Sequence, residues 1–187
     1  MSILAQIIGG MFYLLNKIFL SIAERSEKKK TQSKWGWRTW SWIVYLIGLP
    51  AWLVIFFWER NWIAFALEAG CIPAMVLGLL ISLKGPHEEP KWLHYVAIAS
   101  IVVGLGYSLY DFHGITTIKQ IAELVMVTGF LVGTYQLARK KLSAYVWYMF
   151  MHLACIWLTY LQHYPWLIVQ QIMSFGFVID AYRTKKK

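Results

Sequence analysis

Glu68, in the segment ALEAG, and Glu123, in IAELV, are carboxylates lying about two helical turns inside stretches otherwise apolar enough for a bilayer interior. An ionisable group at that depth costs about 2.5 to 3.5 kcal/mol even on lenient insertion scales, so it faces a protein interior or a wet cavity. There it can attract a cationic ligand or carry a proton; protonated, it can instead hydrogen-bond to a neighbouring helix and act as glue. Tyr145, Tyr148 and His152 recur at steps of three and four in SAYVWYMFMHLACIWLTYLQHYPW and share one helix face. Flat π surfaces ending in a polar ring suit a planar heteroaromatic ligand, and ring faces also attract a cation. Aromatic residues near span ends form interface belts, which accounts for Trp35, Trp37, Trp58, Trp62, Trp92 and Trp166. Tyr148 and His152 lie too deep for a belt. Pro73, five residues beyond Glu68, predicts a kink beside that carboxylate. Asp111 and His113 in YDFHG, and Gln170 and Gln171, are second-rank candidates for which a structural role is the simpler reading.

The segments that position these residues are long and apolar. Of 187 residues, 59% are hydrophobic, 17% aromatic and 14% charged, too few polar residues to coat a soluble globule of this size. A bilayer core of about 30 Å needs about 20 helical residues per crossing. Spans are expected near 3 to 23, 40 to 58, 62 to 83, 92 to 110, 115 to 137, 145 to 162 and 165 to 182. The first contains Gln6, Asn16 and Lys17, so an amphipathic helix in the interface is its alternative, with Lys17 snorkelling if it spans. It lacks the basic start and small-residue cleavage site of a signal peptide.

The net charge of +9 is concentrated in alternate connections: Lys28, Lys29, Lys30, Lys34 and Arg38; Lys84 and Lys91; Arg139, Lys140 and Lys141; and Arg183, Lys185, Lys186 and Lys187. Cytoplasmic retention of basic residues then gives an outside N-terminus and a cytoplasmic C-terminus. The same charges can touch anionic membrane lipid, and no nucleic-acid partner is expected. Spans one to three and five to seven share an order: helix in, basic loop, helix out, very short turn, helix in. The turns are Glu59-Arg60-Asn61 and Gln162-His163-Tyr164-Pro165. A single crossing between two such triplets makes them parallel repeats, a transporter design with its site between the halves. Any seven-helix chain with an outside N-terminus shows the same loop order.

The stretch from Tyr135 to Tyr182 resembles the C-terminal part of the Pnu-type vitamin transporters. Those proteins carry a basic LARKK-like loop followed by WxxWxxxN on the sixth helix. Here the loop is Leu137-Ala138-Arg139-Lys140-Lys141, and Tyr145, Tyr148 and His152 stand where the family has Trp, Trp and Asn. The resemblance implies an all-α integral membrane protein of seven helices, two parallel three-helix repeats joined by a linker helix, as in the similar SWEET sugar transporters. It implies a substrate pocket holding Tyr145, Tyr148 and His152, altered from that for nicotinamide riboside. With Glu68 and Glu123 favouring a cation, thiamine ranks first among vitamins of this kind, with nicotinamide riboside or another nucleoside-like vitamin as the alternative. Trp42 and Tyr45 repeat the WxxW-like spacing in the first triplet and are candidates for the opposite wall, ordinary helix packing being their alternative. The resemblance further implies facilitated diffusion, trapping of the vitamin by a cytoplasmic kinase, and a trimeric homo-oligomer.

The chain has no GxxxxGKS/T loop, so ATP is not expected to drive transport from within it. His87, Glu88, Glu89 and His94 make no HExxH pattern and read as a solvated loop rather than as a membrane enzyme's metal site. Cys71 and Cys155 belong to no CxxC pair and read as small hydrophobes. The expectation is a non-enzymatic carrier without cofactor or metal, in a membrane such as the bacterial inner membrane. A receptor or assembly protein is the rival class.

Overall fold

The apolar segments form α-helices: α1 (Ile3–Lys28), α2 (Trp37–Trp58), α3 (Trp62–Lys84), α4 (Lys91–Asp111), α5 (Ile118–Ala138), α6 (Ser143–Leu161) and α7 (Pro165–Lys186). The computed structural model describes residues 3–28, 36–58, 62–85, 90–111 and 118–187, and among them there is no strand. The turn Glu59-Arg60-Asn61, the run His87-Glu88-Glu89, His113 and the side chain of Asp111 lie outside the described residues.

Among the described residues, four stretches are long and apolar enough to cross a membrane: Trp37–Trp58, Phe65–Lys84, Gln120–Ala138 and Ser143–Leu161. At 1.5 Å per residue the longest reaches about 33 Å and the shortest about 29 Å, matching a bilayer core. In α4 the apolar run is shorter, Lys91–Tyr107.

Inter-helix contacts close a ring in the order α1, α2, α3, α5, α6, α7, with α7 returning to α1. Helix α4 stands outside it, against α3 and α5. Neighbouring side chains give the directions. Gly10 faces Leu167 and Gln170 while Ser21 meets Asp180, so α1 and α7 run parallel. Gly129 faces Met151 and Gly133 faces Ala144, so α5 and α6 run antiparallel.

Local chemistry explains the two tight turns of the second half. After α5, Lys140 N–H bonds to Leu137 O at 2.9 Å and Lys141 N–H to Gln136 O at 2.9 Å, with Lys140 at φ 54°. After α6, His163 N–H bonds to Tyr160 O at 3.1 Å and Tyr164 N–H to Thr159 O at 3.0 Å, with His163 at φ 57°. Both are Schellman closures, which satisfy the last carbonyls of a helix by a left-handed residue. Pro165 then starts α7, where its missing N–H leaves no helical bond unmade. Helix α3 continues through Pro73 and α2 through Pro50; each proline deprives one carbonyl of its helical donor.

Close helix approach depends on absent side chains. A Cβ on Gly129 would lie 2.7 Å from the Trp147 carbonyl oxygen, and one on Gly78 would lie 2.4 Å from the Trp42 indole. Such small-residue contacts are how helices pack where lipid removes the hydrophobic drive between them.

Polarity is distributed inside out. Ile47, Val54, Val102, Phe150, Leu153, Ile172 and Met173 are exposed, whereas Asn16, Lys17, Glu24, Arg38, Glu68, Thr134, His152 and Ser174 are buried. A surface of this kind is compatible with a membrane, and burying ionisable groups is costly. Trp37, Trp58, Trp92 and Trp166 are exposed at helix ends, where belt residues belong.

Candidate functional site

Every helix of the ring, and none of α4, contributes to one central cavity. Tyr13 and Lys17 come from α1, Tyr45 from α2, and Leu67 and Glu68 from α3. The remaining walls are Met126 and Phe130 from α5, Met151, His152 and Cys155 from α6, and Gln170, Gln171 and Ser174 from α7. The cavity between these walls has a volume of about 90 Å³. A few polar groups converging on one space is a feature of small-molecule sites.

The polar groups in this cavity are unusual in lacking partners. Lys17 Nζ, Glu68 Oε2, His152 Nε2 and Tyr13 Oη are buried and make no hydrogen bond among the described residues. Lys17, Glu68 and His152 are 4%, 6% and 2% exposed, so solvent outside the cavity does not compensate them. The Lys17 ammonium lies 4.0 Å from the centroid of the Tyr148 ring and 5.3 Å from that of Tyr45, a cation held against π faces. The Gln171 side-chain carbonyl oxygen is 2.6 Å from His152 Nδ1. That oxygen can only accept, so Nδ1 carries the proton and Nε2 presents a lone pair. Tyr13 packs edge-on to Tyr45 at 4.9 Å and is stacked with Trp52 at 5.5 Å, so the aromatic wall is itself braced.

Glu68, His152 and Tyr45 line this one cavity, and the Tyr148 ring lies against Lys17, its hydroxyl 2.9 Å from Thr134 Oγ1. Three other candidates stand elsewhere. Tyr145 shares a face with His152, but seven residues of helix separate them by about 10 Å, and its hydroxyl donates to Glu24. Trp42 is fully buried against Gly78, one turn from Tyr45 toward the same end. Glu123 is half-buried on α5, outside the cavity lining. The second-rank pair Gln170 and Gln171 do line the cavity, Gln170 bonding to Ser174 at 3.1 Å.

A second polar cluster closes the end of the bundle where α1, α5 and α7 finish and α2 and α6 begin. Arg38 binds Glu24 at 2.5 Å through Nη2 and Glu27 at 2.6 Å through Nε. Lys185 reaches Glu24 at 3.4 Å and Lys140 reaches Glu27 at 3.7 Å. Asp180 accepts from Ser21 and pairs with Arg25 at 2.7 Å. Burial pulls the Glu27 carboxyl up, but Arg38, Lys140 and Lys185 outweigh it and hold it below the ordinary glutamate value. Burial lowers Lys185, with Glu24 opposing.

The sequence reading missed Lys17, Glu24 and Glu27 as interior groups. A signal existed: Tyr13, Lys17, Ser21 and Glu24 follow at steps of four, four and three, a polar stripe facing the ring. Among the described residues no group of three or more His, Cys, Asp or Glu is placed to hold a metal ion.

The cavity and its sealed end thus define an all-helical bundle with a polar centre and several helices fit to span a membrane. No protein family, curated protein or solved structure matches the chain.

Proposed function

We propose that the chain is a membrane carrier that moves a small, flat, water-soluble nutrient of vitamin size by alternating access. The observation that carries this reading is the cavity itself, shared by all six ring helices and lined by buried polar atoms without protein partners. Exchanging α1, α2 and α3 for α5, α6 and α7 leaves the ring's pairings unchanged, which supports two parallel three-helix repeats with α4 as linker. All seven helices then span the membrane, with the basic end cytoplasmic.

The contacts of Glu24 with Tyr145 and Lys185, and of Glu27 with Lys140, join the first repeat to the second. They form the closed gate on the cytoplasmic side. Rocking the repeats apart there breaks these contacts and opens the cavity to the other compartment. No ATP is spent by this chain, and a cytoplasmic kinase acting on the nutrient would make flux inward, as the Pnu resemblance implies. The expectation of thiamine rests on two carboxylates, Glu68 and Glu123, favouring a cation. Only Glu68 lines the cavity and Lys17 lines it too, so the site holds one charge of each sign.

Uptake of labelled vitamins into proteoliposomes, with and without a pH gradient, tests the reading. Uptake that is lost in Glu68→Gln and His152→Ala at normal expression supports the carrier. Equal uptake by both variants and wild type removes it.

A further inference from the structure

We propose that the central cavity takes a small aromatic zwitterion, its carboxylate at Lys17 and its ammonium at Glu68 and His152. The inference rests on the carrier reading and names its substrate class. The cavity has two poles of opposite sign that feel each other's charge without bonding: Lys17 Nζ and Glu68 Oε2 both lack a hydrogen-bond partner among the described residues. Removing an isolated charge from water is costly unless something pairs it. A zwitterion compensates both poles at once. A lone cation at Glu68 leaves the Lys17 ammonium unpaired beside a second positive charge, and a lone anion at Lys17 does the converse to Glu68.

The remaining unpartnered atoms fix the polarity. His152 Nε2 is an acceptor because Nδ1 donates to Gln171, so it calls for an N–H on the ligand's cationic side. The Tyr148 and Tyr45 rings hold the Lys17 ammonium from behind. The cavity-facing rings of Tyr13, Tyr45 and Phe130 give a flat apolar body a surface to lie on.

The test is a matched binding panel on the purified full chain in detergent, read by thermal shift and titration. It compares L-phenylalanine with phenethylamine and 3-phenylpropionate, L-tryptophan with tryptamine and indole-3-propionate, and thiamine as the cationic vitamin. In at least one set the zwitterion is expected to raise the unfolding midpoint and to bind about tenfold or more tighter than its cationic or anionic partner, the scale of one charge-assisted hydrogen bond. Lys17→Met should abolish the preference over the cation, and Glu68→Gln the preference over the anion. The wild-type panel decides even if a variant fails to fold. A cation or anion matching the zwitterion, or no shift from any zwitterion, overturns the inference. Thiamine uptake without zwitterion binding leaves the carrier standing and sinks this inference, whereas zwitterion binding with no uptake of any panel member does the reverse.

Discussion

Arg38→Met removes the guanidinium that holds Glu24 and Glu27 together. The side chains of Arg38 and Glu24 are 5% and 4% exposed, so this pair is a buried one. Removing one partner of a buried, hydrogen-bonded pair costs about 3 to 5 kcal/mol, because the other charge is left uncompensated. Lys185 at 3.4 Å still faces Glu24, which places the expected loss toward the lower end of that range. Purified protein is titrated with SDS and helicity followed by circular dichroism. The single variant should lose about 3 kcal/mol, and the triple variant Arg38→Met, Glu24→Gln, Glu27→Gln should recover most of it, since the stranded carboxylates are then gone. A loss below about 1 kcal/mol for Arg38→Met, the value of an exposed pair, would refute the reasoning. So would a triple variant less stable than the single one, which would mean that the carboxylates stabilise by something other than Arg38.

Gly129→Val puts a branched side chain 2.7 Å from the Trp147 backbone carbonyl and should abolish the monodisperse peak in size-exclusion chromatography; Gly106→Val, with nothing within 4 Å, should retain it. Glu27 has a folded pKa below its unfolded one, so its contribution is complete above the unfolded value of about 4.3 and is lost as pH falls through the folded value. SDS titrations of wild type and Glu27→Gln should therefore converge only once the pH has fallen through the folded value, below the unfolded value of about 4.3, and a gap that widens in acid would contradict the assigned partners. Tyr145→Phe removes the hydroxyl donor to Glu24 and should loosen the basic end while leaving cavity affinity within about twofold, because Tyr145 does not line the cavity. A tenfold loss of ligand affinity would return Tyr145 to the pocket.

Hydropathy marked the helices closely: the expected stretch 62 to 83 is Trp62–Lys84, and 145 to 162 is Ser143–Leu161. It did so because each helix must present an apolar exterior over the same length, a constraint written locally in the sequence. The depth of Glu68 and His152 was legible for the same reason, since an ionisable group inside such a stretch has only the interior to face. Lys17 was not, because a lysine near a span end is satisfied by snorkelling as readily as by burial. The basic end was opaque too. Glu24 meets Tyr145 at a separation of 121 residues and Lys185 at 161, and no local spacing encodes such pairings. Tyr145 and Trp42 were misplaced because helical spacing fixes a face but not the depth along it.

The cavity's native thiol offers the most direct test of alternating access. Cys155 lines the cavity and Cys71 is buried apart from it, so a Cys71→Ala protein carries one reporter there. Reconstituted in sealed vesicles and treated with a membrane-impermeant methanethiosulfonate from one side at a time, this protein should be modified at Cys155 from both faces. Labelling from one face alone, or only after unfolding, would contradict a site that opens to each side in turn.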